Sequence, residues 1–382
     1  MKKRMGYILA FCMVLSLAAC GSTDGESSSA GGSSSGNISQ APVESSGGES
    51  GGTVEESSQT GGTPEGEEAV SGESIVTNGG EVIALSALEH QDTEAQSVVY
   101  YTSDISPEAM VALYEVLGDG LQGENIAVKL STGEPPASNY LDPELIADLV
   151  HLVDGTIVEC NTAYGGQRSG TVMHYQVAED HGFTAIADFV VLDEDGSMSL
   201  PVNGGTHLEE NLVGAHFGDY DGYLVLSHFK GHAMAGFGGA IKNISIGLGS
   251  TEGKCLIHTG GASNTSPWGG DQDTFTESMA EAGLSVVDAL EGNILYISVM
   301  NRLSIDCDCD GNPSEPDMHD IGILASADPV ALDQACVDLI YASGDDSASL
   351  KQRMESRNAF NVLAHGEEIG LGSRSYQLIS ID

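Results

Sequence analysis

The residues best equipped for chemistry fall in two short runs. The first reads His228-Phe-Lys-Gly-His-Ala-Met-Ala-Gly-Phe-Gly-Gly-Ala-Ile-Lys-Asn243 and holds two histidines, two lysines and four glycines in sixteen positions. Glycines let backbone amides come close to a ligand, and Gly238 and Gly239 would form that part of a binding loop. Lys230 and Lys242 would bind an anionic substrate or act as acid and base. In so acidic a chain a lysine beside carboxylates keeps its charge, which favours anion binding. The bland alternative is a glycine-rich turn with solvated lysines. The spacing is not that of a phosphate-binding P-loop.

The second run is Asp306-Cys-Asp-Cys-Asp-Gly311, continuing to Asp317. Two metal chemistries compete for it. Asp306, Asp308, Asp310 and Asp317 stand at positions 1, 3, 5 and 12 of a calcium loop, with Gly311 at position 6 and Asp in place of the closing Glu. Against calcium, Pro313 and Pro316 interrupt the loop, and a strand-like run (Leu295–Met300) precedes it where a helix is expected. The other reading takes Cys307 and Cys309 as thiolate ligands of zinc or iron, with His232 and His258 completing the set. A solvated acidic loop, or a Cys-x-Cys disulfide, would account for the same residues without any metal. Asp328 reads as a helix N-cap ahead of Pro329, whereas capping does not explain Asp333. Cys160 sits just past an expected strand and could reach the same edge as these runs, but a lone buried cysteine is more often packing than ligand; Cys255 and Cys336 read as core. No nucleophile elbow or dinucleotide fingerprint is present.

These runs sit in a regular alternation of elements. Val98–Tyr101, Ile126–Leu130, Thr156–Val158, Phe189–Leu192 and Tyr223–Leu226 are short apolar strands. Between them, Pro107 and Pro143 open helices, and Leu145, Ile146, Leu149, Val150 and Val153 share one helical face. Further on, helices are expected over 274–290 and 328–341, with strands over 293–300, 320–325 and 376–381. The pattern predicts an α/β fold, a mostly parallel sheet flanked by helices, over 97–382. Loops after parallel strands gather on one edge, the usual place for chemistry in open sheets.

Charge narrows the partners. The chain has 382 residues with 57 acidic against 13 basic side chains. Lys2, Lys3 and Arg4 begin the chain and the next base is Lys129, so only ten bases serve everything beyond the N-terminus. Nucleic acid and anionic lipid both need clustered lysine and arginine and are excluded as partners. The early bases precede an apolar run, Met5–Ala19, too short to span a bilayer and ending Leu17-Ala-Ala-Cys20-Gly. Residues 1–20 thus read as a lipoprotein signal with a lipobox, lipidated on Cys20. Residues 21–80 are rich in Ser, Gly and Glu and read as a disordered linker. A tether of that composition spans about 40 Å. The expected setting is the extracytoplasmic face of a cell membrane, reached through the lipid anchor.

The His228–Asn243 run, together with Asp328-Pro-Val-Ala-Leu-Asp333, Val128-Lys-Leu-Ser-Thr-Gly-Glu-Pro135, Glu159-Cys-Asn-Thr-Ala-Tyr-Gly-Gly166 and Asp306-Cys-Asp-Cys309, resembles the bacterial family known as domain of unknown function 362. Some members carry the label iron–sulfur center protein. The ferredoxin-like C-x₂-C-x₂-C-x₃-C segment behind that label does not occur here, so no ferredoxin-type cluster is expected. The resemblance implies that Lys230, His232, Lys242, Asn243 and Asp333 line a pocket. The combined expectation is redox or metal-assisted chemistry on a small anionic substrate. The alternative is a non-catalytic cell-surface binding protein with structural calcium at 306–317. The anchor is tested directly: wild-type protein should partition with membranes and Cys20→Ala with the medium, and identical partitioning would remove the lipobox reading.

Overall fold

The computed structural model describes residues 73–118 and 120–382. The signal segment, Cys20 and most of the expected linker lie outside the described residues. The described chain starts with a hairpin, β1 (Ser74–Val76) and β2 (Val82–Ala84), then alternates: β3 (Ser97–Thr102), α1 (Pro107–Val116), β4 (Ile126–Lys129), α2 (Pro143–Leu152), β5 (Thr156–Glu159), α3 (Thr171–Asp180) and β6 (Phe189–Val191). A ribbon of β7 (Ser197–Pro201) and β8 (Glu210–Gly214) precedes β9 (Gly222–His228). A second ribbon, β10 (Lys230–His232) and β11 (Gly236–Gly238), then runs into α4 (Ala240–Ser245). After α5 (Thr251–His258) and α6 (Gln272–Ala289) come β12 (Ile294–Met300) and β13 (Gly322–Ser326). The chain ends with α7 (Pro329–Ala342), α8 (Ala348–Ser356), α9 (Asn361–Glu368) and β14 (Tyr376–Ser380).

Helix starts follow the caps written in the sequence. Ser106 and Ser250 hydroxyls accept backbone amides at the heads of α1 and α5, and the Asp142, Asp271 and Asp328 carboxylates do so for α2, α6 and α7. Proline stands in the first turn of α1, α2 and α7, where its missing N–H costs nothing.

Eight strands form one sheet in the order β14-β3-β13-β12-β9-β4-β5-β6. All run parallel except β13, which is antiparallel to both β12 and β3, so the expected mostly parallel sheet is present. The exception has a simple cause. A parallel return needs a crossover, usually a helix, whereas 301–321 carries the acidic run and two prolines and simply folds back. Alternate residues of each strand serve opposite faces. Val128, Ile157, Leu224 and Ile297 pack toward α1–α3, while Ala127, Val158, Val225 and Tyr296 pack toward α4, α6, α7 and α9. With both faces covered, the strands read as continuous apolar runs.

From β4 the chain passes through α2 on one face toward β5. From β9, the neighbour of β4, it passes through α4–α6 on the other face toward β12. β4 and β9 therefore flank a topological switch point, where loops diverge and leave a crevice beyond the carboxyl ends of the strands.

One boundary differs from the sequence reading, which ran the linker to residue 80 and began the domain at 97. The β1–β2 hairpin is already part of the fold: Ile75 and Ile83 pair across it and are 3% and 2% exposed. The amides of Asn78 and Gly79 bond the carbonyls of Ile321 and Asp320. Two three-residue strands around Asn78-Gly-Gly80 are too short for hydrophobic periodicity to stand out from a polar linker.

Candidate functional site

A cavity of about 660 Å³ occupies the switch point. The ends of β4 and β5 bring Lys129, Glu134, Glu159 and Cys160 to it, and the end of β9 brings Ser227 and His228. The β10–β11 ribbon with α4 brings His232, Gly238, Gly239, Lys242 and Asn243; α5 brings Lys254 and His258; the acidic loop brings residues 306–311.

Four of the ten bases beyond the N-terminus, Lys129, Arg168, Lys242 and Lys254, line this one cavity. Arg168 is fully engaged. Its Nη1 donates to Glu159 at 2.7 Å and to Ser131 at 3.0 Å, its Nε to Glu134 at 3.3 Å, and its Nη2 to the Tyr164 hydroxyl at 3.3 Å. Burial opposes the charge on Glu159, yet Arg168, His174 and Lys129 hold its carboxyl well below the ordinary range. The three lysines differ from the arginine: among the described residues none makes an ion pair. Lys129 Nζ donates to the Leu130 carbonyl at 2.6 Å and to Asn243 Oδ1 at 2.9 Å, and Lys254 Nζ donates to the Gly249 carbonyl at 2.5 Å. Among the described residues Lys242 Nζ has no hydrogen-bond partner. Burial, with Lys129 and Lys254 adding, pulls Lys242 down to about 8, and burial pulls Lys129 to about 8 against the pull of Glu159.

Two of the three cavity histidines, His232 and His258, are fixed in opposite tautomers. His232 Nδ1 accepts the amides of Met234 at 3.2 Å and Ala235 at 2.9 Å, which leaves the proton of the neutral ring on Nε2. His258 Nδ1 donates to the Lys254 carbonyl at 2.7 Å, and its ring stacks on Phe275 at 4.5 Å, which leaves Nε2 as an acceptor. Burial keeps both rings neutral, with Lys242 adding in each case; His232 sits well below its usual value and His258 at about 4.

Cys307 and Cys309 are joined as a disulfide in the cavity wall. Between them Asp308 turns inward to an ion pair with Lys230, whose Nζ also donates to the Asn139 carbonyl at 2.9 Å. Burial works against the Asp308 charge, but Lys230 and His228 outweigh it and hold the carboxyl at about 2. Ligand atoms of His232, Cys307 and Cys309 lie within 4.8 Å of one another, a grouping that could hold one metal ion. In the disulfide form the sulfurs supply no thiolate, so the trio does not fit a metal as it stands. After reduction two thiolates become available. A metal would still compete with two amides for His232 Nδ1 or with a proton for Nε2.

Several expectations change here. His258, assigned as a metal ligand with His232, Cys307 and Cys309, lies outside that group. The calcium set does not converge among the described residues: Asp308 is taken by Lys230, Asp306 accepts the amide and hydroxyl of Ser314, Asp310 accepts the amide of Asn312, and Asp317, though it feels the charges of Asp346 and Asp306, forms no metal-holding group with them. Lys230, read as an acid/base group, is not in the cavity wall and instead anchors the Cys loop. Asp333, read as lining the pocket, is completely buried away from it; its carboxylate accepts the α4 amides of Ala240 at 2.7 Å and Ile241 at 3.0 Å. Gly239 makes room for that approach, since a Cβ there would stand 2.2 Å from Asp333 Oδ1. Lys242, Asn243, Gly238 and Gly239 do line the cavity. Lys129, Arg168, Lys254 and Trp268 also line it and were not singled out; the scarcity of bases marked the first three, but all lie outside the glycine-rich run.

The neutral His258 makes acid sensitivity calculable. The unfolded ring protonates near 6.5 and the folded ring near 4. Between those values only the unfolded chain binds the extra proton, so stability present at neutral pH is lost as pH falls from 6.5 toward 4. Thermal unfolding across this window should show a falling Tm, and His258→Asn should reduce the pH slope by about one proton. An unchanged slope in that variant would place the acid sensitivity elsewhere.

No curated protein matches the chain. Among solved structures it is similar to the lactate racemase apoprotein of Thermoanaerobacterium thermosaccharolyticum, at 14% identity and a TM-score of 0.38, over 69% of this chain and 61% of that one. It is likewise similar to a protein from Thermotoga maritima, at 13% identity and a TM-score of 0.38, over 60% of this chain and 57% of that one. The chain thus spans about three fifths of the length of these structures, and likeness at this level carries no argument about activity. The family described as Domain of unknown function (DUF362) matches residues 126–338, which takes in β4 through most of α7 and every cavity-lining element described above. The chain belongs to the DUF362 family.

Proposed function

We propose that the switch-point cavity binds a small anion and that the Cys307–Cys309 pair in its wall is the group that acts on it. The observation that carries this reading is the set of three lysines without ion pairs, in a protein with 57 acidic side chains. Carboxylates to neutralise Lys129, Lys242 and Lys254 are abundant in the chain but are spent on Arg168 and Lys230 instead. Unneutralised buried ammoniums cost stability, and a bound anion recovers that cost. The disulfide could take two electrons and two protons from an oxidisable bound anion, becoming two thiols as the anion is oxidised. With the signal segment and Cys20, the proposed setting is the outer face of a membrane, the domain held there by acyl chains.

Lys242 gives the direct test. Its folded pKa of about 8 lies below the unfolded 10.5, so at neutral pH its charge destabilises the ligand-free fold, and the penalty disappears only as pH rises through 8 toward 10.5. Lys242→Met should therefore raise the stability of the ligand-free protein by about 1 kcal/mol, after allowance for solvent screening. Inorganic phosphate at tenfold excess over its Kd should stabilise the wild type by about 1.4 kcal/mol and the variant much less. A destabilised Lys242→Met protein, or equal responses to phosphate, would overturn the reading.

The His232–Cys307–Cys309 grouping favours a second, metal-assisted reading, in which the reduced pair holds zinc or iron. Reduced protein should then bind one equivalent of zinc, and both disulfide-bonded protein and Cys307→Ser/Cys309→Ser should bind none. Equal uptake by oxidised and reduced protein would remove the cysteines from any metal site.

A further inference from the structure

Trp268 is the single tryptophan of the chain, and 64% of its surface is exposed. It lies on the segment between α5 and α6, next to the buried Pro267, and both residues line the cavity. Among the described residues its ring pairs with no other aromatic side chain, although nine ring pairs, four of them stacked, occur elsewhere. A large flat apolar surface is thus left open at the one place where the unneutralised lysines are also reached.

Size points the same way. A cavity of about 660 Å³ falls in the range occupied by ligands of drug-like size and is far larger than a single oxyanion needs. Its wall includes the apolar side chains of Leu141, Leu226, Met234 and Ile246, which an inorganic ion would leave without an apolar partner. The occupant that satisfies both parts has a charged head and an apolar body, and a planar body matches an indole face better than a branched one.

We propose that the cavity takes an aromatic anion, with its carboxylate or phosphate at Lys242 and its ring against Trp268. This rests on the anion reading above and adds the chemical class of the body. Trp268 then serves twice, as the stacking surface and as a reporter, because all indole emission of the protein comes from this one residue.

Benzoate and acetate, with inorganic phosphate as a third probe, separate the two ideas at constant ionic strength. Titrated into the full chain, benzoate should change the tryptophan emission and bind about tenfold tighter than acetate by calorimetry. In Trp268→Ala the ratio of the two affinities should fall toward one. Trp268→Leu, which keeps an apolar side chain at the position, replaces it if the alanine variant does not melt cooperatively. Equal affinities in the wild type, or a preference for benzoate that survives in the folded variant, overturn the aromatic assignment and leave anion binding standing. If none of the three anions binds, the anion reading itself fails and this inference falls with it.

Discussion

A buried carboxylate, Asp333, ties the α4 wall of the site to the core helix α7. It projects from α7 onto the first amides of α4 and is completely removed from solvent. Burial pushes its pKa up to about 7 while the two amides pull it down, so its position rather than its charge is the durable part of the contact. Because α4 is only six residues long, fixing its first turn fixes all of it, including Lys242 and Asn243. Gly239 is the matching constraint, since only a residue without a Cβ admits the carboxylate.

A second buried contact does the same for the opposite wall. Lys230, on the short strand after β9, reaches Asp308 between the two cysteines, and the amide of Gly231 bonds the Ser304 carbonyl. The acidic loop is thereby folded inward against the glycine-rich ribbon. One aspartate of that loop is consumed in the process, which is why a pattern resembling a calcium loop in sequence is not one in space. The same inward fold carries Cys307 and Cys309 to within reach of His232.

Charge is then distributed unevenly. Arg168 is surrounded by Glu134 and Glu159 and braced by Ser131 and Tyr164, so it stiffens the wall. Lys129, Lys242 and Lys254 receive only neutral oxygen acceptors or none. An interior that holds three ammoniums this way is less stable than it could be, the usual relation between a binding site and the fold that carries it. Exposed acids elsewhere add a long-range negative field, so a small anion reaches the cavity against repulsion and is held by short-range contacts once inside.

The alternation of apolar strands and capped helices was written locally, in runs such as Val98–Tyr101 and in caps such as Asp328-Pro329, and local periodicity and capping suffice to specify such elements. Family membership was legible for the same reason, because its motifs are contiguous. The scarcity of basic residues was also plain from composition, and it pointed to Lys242 through its glycine-rich neighbours. What composition and spacing could not assign was partnership. Lys230 and Lys242 stand in one run with similar surroundings in sequence, yet one is paired with Asp308 and the other faces the cavity unpaired. Lys129, Arg168 and Lys254 join Lys242 only because β4, β5 and β9 end side by side and α5, packed on β8 and α6, reaches the same cavity. Asp333 had no local explanation because its partners lie 92 and 93 residues away. The sequence by itself determined the longer strands and capped helices, and the scarcity that makes any basic side chain informative. Tertiary structure alone decided which charges neutralise one another, since that depends on distances and burial between segments remote in the chain.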